Sequence, residues 1–295
     1  MYSFILLPFA FQLMADVGLI GLPNAGKSSL LQALSGAKVK IAAYPFTTLR
    51  PQIAAISFSD HRTITMTDLP GARLAFGSAL TLVLSSASGL ADIAAKFDTN
   101  QQSPPPLRHT AFLKHVERTA CLLVVLDALG FQANQHAPLR TPLAAAVLLV
   151  SQLQRYAFGR LLGKPMLCAI NKVLFGKDLP FHQIDLPYAQ ETAEEAREVL
   201  LGNDCDAILK ASGLPSVLLP RHEFRFEDVY LVSAAKRLNL TGTRPCLGLK
   251  EGLRHWLDLI ELRRKKKDLE EAEKSFKATI ESALKDHVPT TYSNV

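Results

Sequence analysis

Three features of this sequence predict an α/β architecture, a doubly wound and mainly parallel sheet with helices on both faces. Apolar runs of strand length alternate with helix-length segments from Val17 to Ile260. Two of these runs, Leu122–Asp127 and Met166–Asn171, are apolar up to their last residue, as strands buried on both faces are. The residues able to do chemistry follow directly after apolar runs, where an open sheet of this kind holds its ligands. With 295 residues, 48% of them hydrophobic and 20% charged, the chain has ample core material and the balance of a globular protein.

Taken in order, Val17–Ile20 is the first strand and Ser28–Leu34 the first helix. Ile53–Ser57 and Thr63–Asp68 form a hairpin through Ser59, Asp60 and His61. Leu122–Asp127 is a buried strand, Leu143–Leu162 a long helix, and Met166–Asn171 a second buried strand. A helix over Ala193–Ala211, a strand at Val229–Val232 and a helix from Leu249 to about Ile260 complete the alternation.

Between the first strand and helix stands Gly21-Leu22-Pro23-Asn24-Ala25-Gly26-Lys27-Ser28, a match to G-x-x-x-x-G-K-S/T in its required setting. The spacing has a physical cause. The glycines let backbone N–H groups curl around phosphates, Lys27 reaches the β/γ oxygens, and Ser28 offers its hydroxyl to Mg²⁺. This predicts a P-loop NTPase fold with a nucleotide site. Asp68-Leu69-Pro70-Gly71 ends a strand, so the Asp68 carboxylate is placed to hold Mg²⁺ and Gly71 to approach a γ-phosphate without a side chain in the way. Asn171-Lys172 and Ser233-Ala234-Ala235 end two later strands, in the order of the base-reading elements of GTPases. The expected fold narrows to a Ras-like G domain.

Other properties bound the function. A net charge of +6 permits an anionic or nucleic-acid partner without requiring one. The four cysteines form no C-x-x-C pair, and Cys121 and Cys168 lie in apolar runs, so reduced core thiols are expected rather than a metal site. A reducing compartment is implied. Residues 1–14 are largely apolar but too short to span a bilayer, and they lack the marks of a secretory signal or a transit peptide. They read as an extra edge strand or as a consequence of where the chain begins. No membrane span is expected, and His109 and His115 read as surface residues rather than catalytic ones.

The P-loop, Asp68–Gly71, the segment Ala43–Leu49 with Pro51 behind it, and the run Phe112–Thr119 together resemble the Obg (CgtA) family of GTPases, its eukaryotic mitochondrial members above all. The resemblance covers about Ala15–Leu257. It implies a G domain over 15–260 that binds GTP or GDP and hydrolyses GTP, coupled to assembly of the large ribosomal subunit and its RNA. It also implies a mitochondrial setting, with nucleolus and cytoplasm as alternatives, and a monomer. The residues Phe46, Thr47, Thr48 and Leu49 fall at switch I, where Thr48 would ligand Mg²⁺. Ser29 follows the P-loop serine, and Asn24 matches an asparagine that in some relatives helps bind K⁺. Lys27, Thr48 and Gly71 are the implied catalytic set. Ala72 stands where other GTPases carry a water-positioning glutamine, so slow intrinsic turnover is expected.

Four departures from the family pattern are visible. Its glycine-rich amino-terminal domain has no counterpart before the P-loop, which opens at residue 21. An insertion spans about 73–107, with apolar Leu74–Leu84, small-residue Ser85–Ala95 and the prolines Pro104, Pro105 and Pro106, which suit an extruded loop. The guanine-reading motif Asn-Lys-x-Asp reads Asn171-Lys172-Val173-Leu174. Leucine cannot accept the two hydrogen bonds that guanine donates, a loss of about 1.5–3 kcal/mol or a tenfold to several hundredfold weaker grip. Asp178 replaces that carboxylate only if Val173–Lys177 bulges outward. Finally, Arg237–Cys246 lengthens the loop after Ser233 and Ala234.

The tail, 261–295, joins the basic run Arg263–Lys267 to Asp268–Lys274, a charged helix with opposite signs at i,i+4. A solvated extension and an RNA-phosphate contact are both open for it. Its last residues, Val288–Val295, are expected to be disordered.

Overall fold

The computed structural model describes residues 15–35, 40–41, 52–68, 117–132, 139–156, 163–173, 186–202, 204–242 and 248–286. Among these, the strands are β1 (Ala15–Gly21), β2 (Lys40–Ile41), β3 (Gln52–Ser57), β4 (Thr63–Asp68), β5 (Thr119–Asp127), β6 (Met166–Asn171) and β7 (Asp228–Leu231). The helices are α1 (Lys27–Ser35), α2 (Pro142–Tyr156), α3 (Leu186–Leu201), α4 (Cys205–Ala211) and α5 (Leu249–Asp286). The strands form one sheet in the order β2-β3-β4-β1-β5-β6-β7. The β2/β3 and β3/β4 pairs are antiparallel, and the remaining neighbours run parallel.

That order places the reversal at β1. The chain leaves β1 towards β4 on one side, while the later strands β5, β6 and β7 add on the other. Right-handed crossovers then put α1 on one face and α2, α3 and α4 on the other, which makes the sheet doubly wound. The side-chain period of two explains why β5 is apolar throughout. Its Leu122, Val124 and Leu126 join one buried cluster with Leu143–Val150 of α2 and with Ala193, Ala196 and Leu200 of α3. Cys121, Leu123 and Val125 point to the other face and are equally buried.

The expected hairpin is the β3/β4 pair, with Phe58 and Arg62 bonded across the turn (Phe58 N–H to Arg62 O, 2.9 Å). Three helices differ from expectation. The single helix over Ala193–Ala211 is two helices, α3 starting at Leu186 and α4 starting at Cys205. The break follows from Gly202, which closes α3, and Asp204, whose carboxylate caps α4 by accepting from Asp206 N–H (3.0 Å) and Ala207 N–H (3.3 Å). The α2 helix ends at Tyr156, and 157–162 lie outside the described residues. The helix from Leu249 does not stop near Ile260 but continues to Asp286, because the charged segment beyond holds no Gly or Pro to break it.

The chain divides into two compact units, Met1–Gly252 and Leu253–Val295, and the division falls within α5. The extension at 1–14, the insertion at 73–107 and the end at 288–295 lie outside the described residues. Cys121 and Cys168 are buried free thiols, as expected. No described helix is long and apolar enough to cross a membrane.

Two outcomes follow. Leu122, wholly buried in β5, should cost about 2–5 kcal/mol when replaced by Ala, seen as a lower urea midpoint with an unchanged slope. Burial pushes the Cys168 thiol far above its ordinary range, so iodoacetamide at neutral pH should alkylate Cys168 only after unfolding, as read by peptide mass spectrometry.

Candidate functional site

The site is built at the carboxyl ends of β1, β4, β5, β6 and β7, beside the reversal of strand order. The chain leaves β1 at Gly21, and the turn that follows cannot tolerate a side chain there: a Cβ on Gly21 would lie 2.4 Å from the Val125 carbonyl oxygen of β5. Gly26 is bound by two requirements. Its φ is +86°, and a Cβ would lie 2.4 Å from Asn171 Nδ2. Asn24 also takes the left-handed conformation, at φ 64°. Leu22 and Ala25 are buried, while Asn24, Ser28 and Ser29 are exposed and Pro23 is half-buried.

Lys27 opens α1 and is 5% exposed. Its ammonium folds under the loop and donates to Gly21 O (2.8 Å) and Leu22 O (2.9 Å). A buried cation is thus held by carbonyl dipoles at the mouth of a loop whose backbone turns about it, an arrangement suited to anionic oxygens. The next residue, Ser28, donates its hydroxyl to Asp68 Oδ2 at 2.6 Å. Asp68 is buried at the end of β4, and its other oxygen, Oδ1, has no hydrogen-bond partner among the described residues. A buried carboxylate oxygen left over beside a hydroxyl is a hard-oxygen pair, which fits a Mg²⁺ ion.

Asn171 joins the loops of three strands. At 2% exposure, its Nδ2 donates to Ala25 O in the P-loop (3.0 Å) and its Oδ1 accepts from Ala234 N–H (3.0 Å). Val173 N–H donates to Val232 O (3.1 Å), which fixes the β6 exit against the β7 exit. The Ser233–Leu238 segment closes on itself through paired backbone bonds of 3.1 and 3.0 Å, with Arg237 and Asn239 at positive φ. Ala234 is buried there and Ala235 exposed. The lengthened loop is pinned at its start: Leu249 N–H donates to Asn239 O and Lys250 N–H to Leu240 O, while 243–247 lie outside the described residues.

One residue of this edge escaped the sequence reading. Asp127, the last residue of β5, sits opposite Asn171 in register and pairs with Lys172, Nζ to Oδ2 at 2.6 Å. Its other oxygen accepts from Leu129 N–H (3.0 Å). Lys172 itself stands at φ 67°, a backbone conformation that a lysine rarely takes and that recurs at functional sites. The available signal was an acid closing a fully apolar strand at the carboxyl edge of the sheet.

Residues 16–172 match the model of a family described as 50S ribosome-binding GTPase. The chain belongs to that GTPase family. It is 36% identical over 223 residues to GTP-binding protein 10 of Danio rerio, a match covering 76% of this chain and 48% of the relative. It is 34% identical over 171 residues to the GTPase Obg of Protochlamydia amoebophila, covering 58% of this chain and 41% of that one. These homologues place it with the Obg-type GTPases. Among solved structures, the G domain of the T. maritima FeoB iron transporter aligns at 19% identity with a TM-score of 0.35, over 84% of this chain and 98% of that chain. The chain spans about half the length of the Danio rerio relative.

Of the residues singled out in the sequence, the described ones lie together at this edge: Gly21–Ser29, Asp68, Asn171, Lys172 and Ser233–Ala235. Phe46, Thr47, Thr48, Leu49, Leu69, Pro70, Gly71, Leu174 and Asp178 lie outside the described residues. Asp127→Ala and Lys172→Ala should each weaken guanine-nucleotide binding up to about tenfold, or about 1.4 kcal/mol. The double variant should be no weaker than Lys172→Ala alone, a non-additivity that a nucleotide titration of all three measures.

Proposed function

We propose that this chain is a GTP-binding and GTP-hydrolysing switch of the Obg type, acting in assembly of the large ribosomal subunit and on its RNA. Its proposed setting is the mitochondrial matrix, by family resemblance; the nucleolus and the cytoplasm are the alternatives. The observation that supports the reading is the Asn171 amide, which bonds Ala25 O and Ala234 N–H and so joins the loop assigned here to phosphate with the loop assigned to the base. The family match over 16–172 supports it.

In this reading Gly21, Leu22, Pro23, Asn24, Ala25, Gly26, Lys27, Ser28 and Ser29 wrap the phosphates of GTP or GDP, with Lys27 neutralising their charge. Ser28, Asp68 and Thr48 hold Mg²⁺, which when bound draws charge off the phosphate oxygens. Phe46, Thr47, Thr48 and Leu49 of switch I and Leu69, Pro70 and Gly71 of switch II order around the γ-phosphate, making the switch. Lys27, Thr48 and Gly71 form the catalytic set, and Asn24 is the candidate K⁺ contact. Asn171, Lys172, Ser233, Ala234, Ala235 and Asp178 take the base. The G domain is assigned to 15–260, with 73–107 as its insertion and 261–295 as a charged helical tail.

A second reading rests on Leu174, which puts an aliphatic side chain where a guanine-reading carboxylate belongs. It makes the chain a nucleotide-binding relative without effective hydrolysis, acting as an interaction module. Titration with fluorescent GDP and Mg²⁺, competed by GTP or by ATP, separates the two. Displacement by GTP alone supports the switch; no binding, or equal displacement by ATP, supports the module. Leu174→Asp should raise the preference for GTP over ATP tenfold to several hundredfold. If Asp178 already supplies the carboxylate, Leu174→Asp changes little and Asp178→Asn removes the preference.

A further inference from the structure

The α5 helix carries an apolar stripe that the nucleotide site does not use. Leu262 (61% exposed), Leu269 (64%), Phe276 (68%) and Ile280 (43%) are four of the exposed large hydrophobic residues among those described. At about 100° per residue, the first three drift by about 20° per seven residues and Ile280 returns on the same side, so all four fall within an arc of about 40°. The other residues of 261–280 are exposed as well, and most are charged. A helix meant only for water gains nothing from such a line; a heptad-spaced seam gains a second helix.

The charge pattern says which helix. Arg263–Lys267 is an unbroken basic block, and Asp268, Glu270, Glu271 and Glu273 form an acidic block directly after it. A parallel partner of the same sequence sets like block against like block. An antiparallel partner sets each basic block against the other copy's acidic block. The stripe has the same symmetry, since Leu262 and Phe276 are equidistant from Leu269. Antiparallel pairing about Leu269 therefore packs Leu262 on Phe276 of the second copy, twice, and Leu269 on its equivalent. On one flank of the stripe it brings Lys266 to Glu273 of the second copy, again twice. In parallel pairing Glu273 instead flanks Asp268 of the second copy. The apolar and charge patterns thus give one two-fold centre, within a residue.

Two intrahelical ion pairs among the described residues, Lys265–Glu261 at 2.8 Å and Lys267–Glu271 at 3.7 Å, are between exposed side chains and are weak in water. Arg263 lies over the Trp256 ring, 5.8 Å from its centroid, and stays out of the seam. The stripe from Leu262 to Phe276 is about 21 Å long, two heptads, so the association is reversible rather than permanent.

We propose that the α5 stripe Leu262–Leu269–Phe276 docks on the same stripe of a second copy of this chain, antiparallel, about a two-fold axis at Leu269. The surface makes the chain a concentration-dependent homodimer, where the family resemblance implies a monomer. It holds whichever nucleotide the site takes.

Sedimentation velocity of the full chain over a wide concentration range tests it, with circular dichroism to show that each variant keeps its helix. The chain should dimerise reversibly and less well at high salt. Leu269→Glu should weaken the dimer at least tenfold and leave fluorescent-GDP binding unchanged. Glu273→Lys should also weaken it, and the pair Lys266→Glu with Glu273→Lys should restore it. Mixed Leu262→Cys and Phe276→Cys chains should form the 262–276 disulfide, identified by peptide mapping. A monomer at every concentration, a dimer indifferent to Leu269→Glu, or a dimer that Glu273→Lys strengthens, as parallel pairing requires, overturns the proposal. So does a monomer whose Arg263–Lys267 block binds RNA, which would make this face a phosphate contact.

Discussion

A single buried amide holds the site together. Asn171 has one donor face and one acceptor face, and both are spent on the backbones of other loops: Ala25 O before α1 and Ala234 N–H after β7. Ala25 and Ala234 are buried, 1% and 7% exposed, so removing the amide leaves a buried carbonyl and a buried N–H without this partner, at about 1–3 kcal/mol each. The same Nδ2 fills the space that a Cβ on Gly26 would occupy, so the glycine and the asparagine require each other. Loops from β1, β6 and β7 are thereby tied together by these two hydrogen bonds, beside the Val173–Val232 backbone bond and the buried Leu22, Ala25, Val173 and Ala234.

Around that amide the charges are paired before any ligand arrives. Lys27 is buried against two carbonyls of its own loop, Ser28 is bonded to Asp68, and Lys172 to Asp127. Lys27 and Asp68 are buried with a polar partner in place, as a low-dielectric setting requires, while the Lys172–Asp127 pair stays partly in water. Side chains held this way need little reorganisation when an anion or a cation enters, which is how preorganised sites favour charge. The exception is Asp68 Oδ1, buried without a hydrogen-bond partner among the described residues, and it marks where a cation has most to offer.

The two ends of the site differ in kind. At the end assigned to phosphate, the proposed recognition rests on backbone curvature at Gly21 and Gly26 and on Lys27. At the base end it rests on particular acceptors, and there this chain carries Leu174 in the position of a carboxylate. In the proposed reading, base discrimination is weakened unless Asp178 supplies that carboxylate, while the grip on phosphates is untouched. The long α5 helix follows a separate logic, in which the spacing of a few apolar residues and the order of two charge blocks matter more than any cavity.

Much of this was legible in the residues alone. The fold class, β6 to the residue and the antiparallel hairpin follow from apolar runs and turn residues, which act locally. The P-loop is legible because its glycines answer a local demand, backbone curling around an anion. The split of α3 from α4 was also present, in Gly202 and Asp204, but the apolar period across the break outweighed it. What only the tertiary structure decided are contacts between residues far apart in sequence. Asp127 meets Lys172 across 45 residues, and Asn171 meets Ala25 across 146, because parallel strands align their carboxyl ends in register. Gly21 owes its identity to Val125 in the neighbouring strand. Local chemistry can be read along the chain; which loops share an edge is set by strand order, and strand order is settled only when the whole sheet packs.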